Sequence, residues 1–371
     1  MEQKRSKFIE RFRRVRSWYG RWERPLSSLS LISGFVFDAL ALKRVDEFWE
    51  IFWVIVHLLI VGFAILVANR IENNPGDEKD PAKFHFWLVN IMQFFFGGLL
   101  GTFLVFYFRS GSLAVSWPFL LVLAAAFWAN ESLKHHYARL TFQVALFFLS
   151  VYAFAIFFVP LLMHEIGPTV FIVSGLASLA FIALFLLVIK ILSGERFHGQ
   201  LGKLILLVTG IFLAVNILYF FNLIPPLPLS LSDAGIYQSF LINGPGNYVA
   251  QAEAPEPFAF LHIYQDVHIV PGTPLYAYSA VFSPTSFSTT VVHEWQFYNN
   301  GTGSWITRGR IPLTVTGGGA NGYRTFSEEF DLTPGLWRVN VLTPSGAVIG
   351  RLDFNVIYAS TTPALQTQII D

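Results

Sequence analysis

Residues 222–235 read NLIPPLPLSLSDAG. Pro225, Pro226 and Pro228 cannot continue a helix. They favour a stiff, polyproline-like exit that holds whatever follows close to whatever precedes. The stretch divides two regions with different patterning. Upstream lie long apolar runs. Downstream, apolar and polar residues alternate with a period of two.

The upstream region explains the unusual composition. The chain of 371 residues is 54% hydrophobic and 13% charged, against about 25% charged in an ordinary soluble protein. That is too little charge to coat a soluble surface of this size, so a multi-span membrane protein is the natural class. Apolar segments at about 26–42, 48–68, 84–108, 112–130, 140–163, 168–192 and 203–224 predict seven spans, since one crossing takes ~20 residues. Before them, residues 1–25 hold nine Lys and Arg with Trp18, Tyr19 and Trp22. This reads as a cytoplasmic anchor with interfacial aromatics rather than a nucleic-acid arm or a cleavable signal peptide.

Orientation follows from basic residues in the loops. With the N-terminus in the cytoplasm, the inner segments hold 17 Lys and Arg and the outer loops hold Lys43, Arg44 and Arg109. Seven crossings then put the C-terminal region outside the cytoplasm. The bilayer is the first partner, and a cytoplasmic (inner) membrane the expected location. If segment 26–42 only dips into the interface, the C-terminal region moves to the cytoplasm.

Expected domains are therefore a basic N-terminus (1–25), a seven-span bundle (26–224), a proline-rich exit (225–234) and an all-β domain (235–371). In 289–298, TTVVHEWQFY places Val291, His293, Trp295 and Phe297 on one face and Glu294 and Gln296 on the other. In 336–342, LWRVNVL sets Trp337, Val339 and Val341 against Arg338 and Asn340. In 347–356, AVIGRLDFNV groups Val348, Leu352, Phe354 and Val356 opposite Arg351, Asp353 and Asn355. PLYAYSAVF at 274–282 alternates likewise. Half-buried strands with NNGTGS, GGGANG, TPG and TPSG turns predict an immunoglobulin-like sandwich of roughly seven strands.

The motifs His-x-Trp (His293, Trp295), Gly-Tyr-Arg-Thr-x-Ser (Gly322–Thr325, Ser327), Gly-x-Trp-Arg-Val (Gly335, Trp337–Val339) and Gly-x-x-x-Gly-Arg-x-x-Phe (Gly346, Gly350, Arg351, Phe354) resemble the C-terminal domain of bacterial membrane proteins of domain-of-unknown-function family 2914 (DUF2914). GFVFDALALKRVD and IPPLPLSL resemble that family's membrane half, so the likeness spans most of the chain. It implies a structural motif set of His293, Trp295, Gly322, Trp337, Arg338, Gly350 and Phe354, and no activity. The chain departs from the family pattern at Gly319 or Ala320, where many relatives carry Arg, and at Gln238, where many carry His.

Functional candidates are few. GGGANGYRTFS at 317–327 lacks the helix a phosphate loop requires, so it reads as a strand connection whose glycines supply positive φ. Tyr323, Arg324 and Ser327 remain candidate binding residues there. Arg324 is equally a structural cation, with Glu294 the expected partner. HIYQDVH at 262–268 puts His262, Tyr264, Asp266 and His268 on one strand face. They are candidates for ligand binding but too spread along a flat strand for a compact metal site. His293 reads as a hydrogen-bonded core histidine. Polar residues within the spans are Asp38, His57, Asn90, Gln93, Gln143 and Asn216. Asp38 is a default functional hypothesis, with structure and function evenly balanced.

No catalytic residues, metal or cofactor are expected. No Ser-His-Asp order, paired carboxylates or HExxH occurs, and the chain has no cysteine. The last 146 residues hold five Arg, no Lys and ten acids, a poor match for nucleic acid. Binding or assembly with an envelope protein or a neutral glycan is the leading expectation. A transporter or channel, and a ligand sensor, are the rivals.

Overall fold

The computed structural model describes residues 48–73, 81–132, 139–193, 197, 199–242, 248–254, 264–283, 288–316, 322–361 and 363–370. The basic N-terminus, segment 26–42 with Asp38, and His262 lie outside the described residues.

Six helices form the first unit: α1 (Phe48–Asn73), α2 (Pro81–Arg109), α3 (Leu113–Ser132), α4 (Leu140–Met163), α5 (Pro168–Ser193) and α6 (Leu201–Phe220). Each is long and apolar enough to cross a membrane. They coincide with six of the seven expected spans. α4 is the central helix, with 72% of its apolar window buried, and α6 the peripheral one, with 17%. Phe63, Phe94, Leu187 and Leu206 are exposed on the outside, an arrangement suited to lipid rather than water.

Polar side chains inside the bundle join helices. Asn69 Nδ2 donates to Gln143 Oε1 (2.9 Å) and to Ile65 O (2.8 Å). Asn130 Nδ2 donates to Gln93 O (3.0 Å) and Asn216 Nδ2 to Tyr152 Oη (3.0 Å). His57 Nδ1 lies 2.8 Å from Trp53 O. Unsatisfied polar groups in hydrocarbon are expensive, so these residues are spent on packing.

The last helix stops four residues short of the expected 224. Asn222 adopts φ 56°. Leu223 N donates to Leu218 O and Asn222 N to Tyr219 O, both at 2.8 Å. This is the Schellman closure, with Asn in the left-handed position and Pro225 barring continuation. The exit is short, because strand β1 starts at Ser230, inside the segment expected to be linker.

Eleven strands follow among the described residues: β1 (Ser230–Tyr237), β2 (Ser239–Ile242), β3 (Tyr248–Glu253), β4 (Gln265–Ile269), β5 (Leu275–Phe282), β6 (Ser288–Asn299), β7 (Ser304–Thr316), β8 (Tyr323–Glu329), β9 (Gly335–Leu342), β10 (Val348–Tyr358) and β11 (Leu365–Ile370). They make three sheets, ordered β1-β5-β8, β4-β10-β9-β6-β7 and β11-β3-β2. The alternating strands read from sequence are β5, β6, β9 and β10. The expectation of about seven strands was too low, because β2, β3 and β11 are only four to six residues long and carry little periodic signal.

The β1-β5-β8 sheet is the middle layer. Its Leu275 and Ala277 pack with Trp295, Trp337, Val339 and Phe354 of the five-stranded sheet. Its Tyr278 and Ala280 face Phe240, Ala250 and Ile370 of the small sheet. The β9–β10 turn sits against the bundle, where Thr343, Ser345 and Ala347 line a small cavity with Ile156, Phe171 and Tyr219. Gly350 in β10 lets strand β1 approach closely, since a Cβ there would collide with the side chain of Leu231.

Candidate functional site

Two polar arrangements stand out in the β domain, one inside and one outside. Both arise from the alternation of β6. Its odd-numbered residues face the middle sheet, and its even-numbered ones face away.

Inside, His293 is fully buried between two serines. Its Nε2 lies 2.8 Å from Ser279 Oγ and its Nδ1 2.8 Å from Ser327 Oγ. Trp295 Nε1 donates to Ser327 Oγ (3.0 Å), and Ser279 Oγ lies 3.0 Å from Thr325 Oγ1. One proton assignment gives every donor a partner. The indole N–H donates to Ser327, whose hydroxyl donates to Nδ1. The Nε2–H donates to Ser279, whose hydroxyl donates to Thr325. Thr325 in turn donates to the carbonyl of Ser279. Burial pushes the His293 imidazole down to about 4, because the cation would sit in a dry core. A histidine beside serine is the pairing a hydrolase nucleophile needs. Here every member is buried and every donor is used internally, so the network pins two sheets together. The motifs His-x-Trp and Thr-x-Ser are its two halves.

This corrects the expectation for Ser327, which is a core residue and not a surface contact. Arg324 is corrected as well. Thr325 and Ser327 point from β8 toward the five-stranded sheet, so Arg324 points the opposite way, and its side chain hydrogen-bonds Tyr278. Glu294 projects from the far side of the other sheet. The middle and five-stranded sheets stand between the two, and the cation that Glu294 holds is Arg310, its cross-strand neighbour (3.2 Å). Of the glycine run, only Gly322 falls within the described residues. Its φ is 85°, and a Cβ there would press on the backbone from Ala280 to Phe282, so this glycine serves a close strand approach at the start of β8. Tyr323 beside it is exposed.

The face of Tyr264, Asp266 and His268 also resolves differently. Strand β4 begins at Gln265. Asp266 Oδ1 accepts from Asn355 Nδ2 (2.9 Å). His268 Nδ1 instead meets Glu253 Oε2 of the small sheet (2.7 Å). No group of three or more potential metal ligands converges among the described residues.

Outside, the strand register builds a polar ladder across the five-stranded sheet. One row runs Arg310, Glu294, Asn340, Arg351. The next runs Thr307, Gln296, Arg338, Asp353. Five strands at about 4.8 Å spacing make this face ~19 Å wide. Glu294, only 13% exposed at its side chain, accepts from Gln296 Nε2 (2.9 Å) and Asn340 Nδ2 (3.1 Å). Gln296 Oε1 accepts from Arg338 Nε (2.6 Å) and Asn340 Nδ2 (3.2 Å). Asn340 Oδ1 accepts from Arg351 Nε (2.7 Å). The Arg338 guanidinium lies 4.1 Å from the centroid of the Trp305 ring, within cation–π range.

Asp353 stands between Arg338 and Arg351 in register and makes no hydrogen bond or ion pair among the described residues. Burial, partly offset by the charges of Arg351 and Arg338, raises its pKa. Burial first, and then the like charge of Arg351, lowers that of Arg338. From sequence, Arg338 was expected to be structural. Glu294, Gln296, Trp305, Asn340, Arg351 and Asp353 were not recognised as a site at all. Their signal was present as the polar half of each alternating strand, but only register brings the halves together.

Fold and site define a class: a helical bundle of membrane-spanning composition bearing a layered β domain with a polar sheet face. Residues 288–356, from the start of β6 into β10, match the family described as "Protein of unknown function (DUF2914)". No curated protein matches the chain. Among solved structures, a β-glucosidase from Listeria innocua in complex with glucose aligns at 12% identity with a TM-score of 0.19, covering 30% of this chain and 16% of that one. The DNA glycosylase AlkC of Pseudomonas fluorescens, bound to DNA containing an abasic site analog, aligns at 9% identity with a TM-score of 0.22, covering 84% of this chain and 99% of that one. Likenesses at these scores bear on neither fold nor function.

Proposed function

We propose that the protein is a multi-pass bacterial inner-membrane protein whose β domain lies outside the cytoplasm and binds an envelope partner through the polar ladder. The two facing sheets form an immunoglobulin-like core to which the small sheet is added. The observation that carries the reading is the ladder itself. It unites side chains from four strands on one face and contains three of the domain's five arginines. A solvated strand face needs no such order. The positive-inside asymmetry supports the orientation. Six crossings return the chain to the side on which Phe48 starts, so full crossing by 26–42 puts the β domain opposite the basic N-terminus.

The absence of cysteine allows a single-site test of both parts. Thr307→Cys places one thiol on the ladder's exposed edge, and Thr367→Cys places one on the small sheet. In cells with a permeabilised outer membrane, a membrane-impermeant maleimide should label both. In native envelopes Thr307→Cys should label several-fold more slowly than in purified protein, while Thr367→Cys reacts equally in both. Labelling that requires lysis would put the domain in the cytoplasm. Equal rates at Thr307→Cys in envelopes and in purified protein would remove the ladder as a binding face.

A further inference from the structure

The chemistry of the ladder narrows what it binds, given that it is the binding face. Arg310, Arg338 and Arg351 each enter the protein network through Nε. Their terminal amino groups make no hydrogen bond among the described residues. A guanidinium carries five N–H donors, so most of their donor capacity is available to a ligand. The free carboxylate of Asp353 sits between two of these groups and can only accept when ionised. The three arginines are matched by Glu294, Asp353 and Asp266, which leaves the face locally neutral. Trp305 adds an aromatic ring at the same edge, already backed by Arg338.

We infer that this face takes a neutral, linear, polyhydroxylated glycan, gripped by Arg338, Asp353 and Arg351 and flanked by Trp305. A hydroxyl group both accepts from a guanidinium and donates to a carboxylate, so adjacent hydroxyls on a sugar ring satisfy the Arg–Asp–Arg notch completely. A carboxylate or a phosphodiester accepts from the arginines but has no proton to give Asp353, and its charge is repelled there. The repeat of an extended β-linked sugar chain is close to the spacing of adjacent strands, so successive units can meet successive ladder columns. Because Arg338, Gln296, Asn340 and Arg351 already hold one another, little ordering cost remains on binding.

The test uses the full chain in detergent or nanodiscs and calorimetric titration with soluble chito- and cello-oligosaccharides, with polygalacturonate as the anionic probe. Binding of a neutral oligosaccharide should change little between low and high salt. It should weaken by about tenfold or more in Arg338→Leu and in Trp305→Ala, as expected for loss of a charged hydrogen-bonding group or a stacking ring. Asp353→Asn keeps the side-chain shape, so it separates folding from recognition. It should weaken the neutral ligand and strengthen polygalacturonate. Salt-sensitive binding of polygalacturonate alone by the unmodified protein overturns the glycan class but leaves the face as a binding site. No binding of either probe, with Thr307→Cys still protected in envelopes, also overturns it, in favour of a protein partner. If protection is absent too, the binding reading fails as well.

Discussion

Trp295→Ala should lower the stability of the β domain by about 3–5 kcal/mol, the usual cost of truncating a buried large aromatic. The side chain is fully buried, stands edge-on to Phe354 with ring centroids 6.2 Å apart, and donates its indole N–H to Ser327. Truncation therefore opens a cavity and also strips a donor from the buried network, where an unmet group costs about 1–3 kcal/mol. A domain with about 5–15 kcal/mol in total would be left marginal. Limited proteolysis of the full chain across a temperature series should show the β domain cleaved well below the unmodified protein's transition, with the helical bundle intact. Trp305→Ala, at the edge of the ladder, should leave that transition nearly in place. If both variants melt alike, the assignment of Trp295 as a buried pin between two sheets is wrong.

His293 should make the domain sensitive to mild acid. Its ordinary pKa is about 6.5, and burial holds it at about 4 in the fold. Between those values the unfolded chain binds the proton and the native state does not. The stabilising contribution is therefore complete above about pH 6.5 and is lost as pH falls toward about 4. The whole span corresponds to about 3 kcal/mol. The physical event is loss of the acceptor at Nδ1, which faces Ser327, together with a cation forced into the core. His293→Gln cannot titrate, so the difference in unfolding free energy between the two proteins should shrink steadily from about pH 7 to about pH 4.5. Parallel pH profiles would mean that His293 does not carry the acid response; Glu329 and Asp353, whose pKa values are raised by burial, act in the opposite sense, since the native state binds their protons more tightly than the unfolded chain.

The ladder and the buried network draw on the same motifs. His293 and Trp295 lie on the same strand as Glu294 and Gln296 but serve the opposite face. Trp337 and Arg338 divide in the same way, as do Phe354 and Asp353. Each motif thus mixes core with surface. A motif names the strand and leaves the side unstated, which is how Ser327, buried in the fold, came to look like a surface contact. Period two settles the side only after one residue of the strand is known to be buried.

What the sequence determined is what local physics controls. Apolar runs of sufficient length fixed the six described helices, because hydrocarbon tolerates little else. Pro225, Pro226 and Pro228 marked the end of the bundle, although Asn222 closed the last helix earlier through its left-handed turn. Alternation located β5, β6, β9 and β10 and put Trp295 and Trp337 in the core. What only the tertiary structure decided depends on pairing between distant strands. Register set Glu294 opposite Arg310 rather than Arg324. It aligned Thr307, Gln296, Arg338 and Asp353 into one row, from four segments of chain that hold no common signal. Stacking of a middle sheet between two others closed the chain of protons from Trp295 to Thr325. A sequence records which residues a strand offers to each face; which neighbour meets them is set by long-range contacts, whose energies no single segment contains.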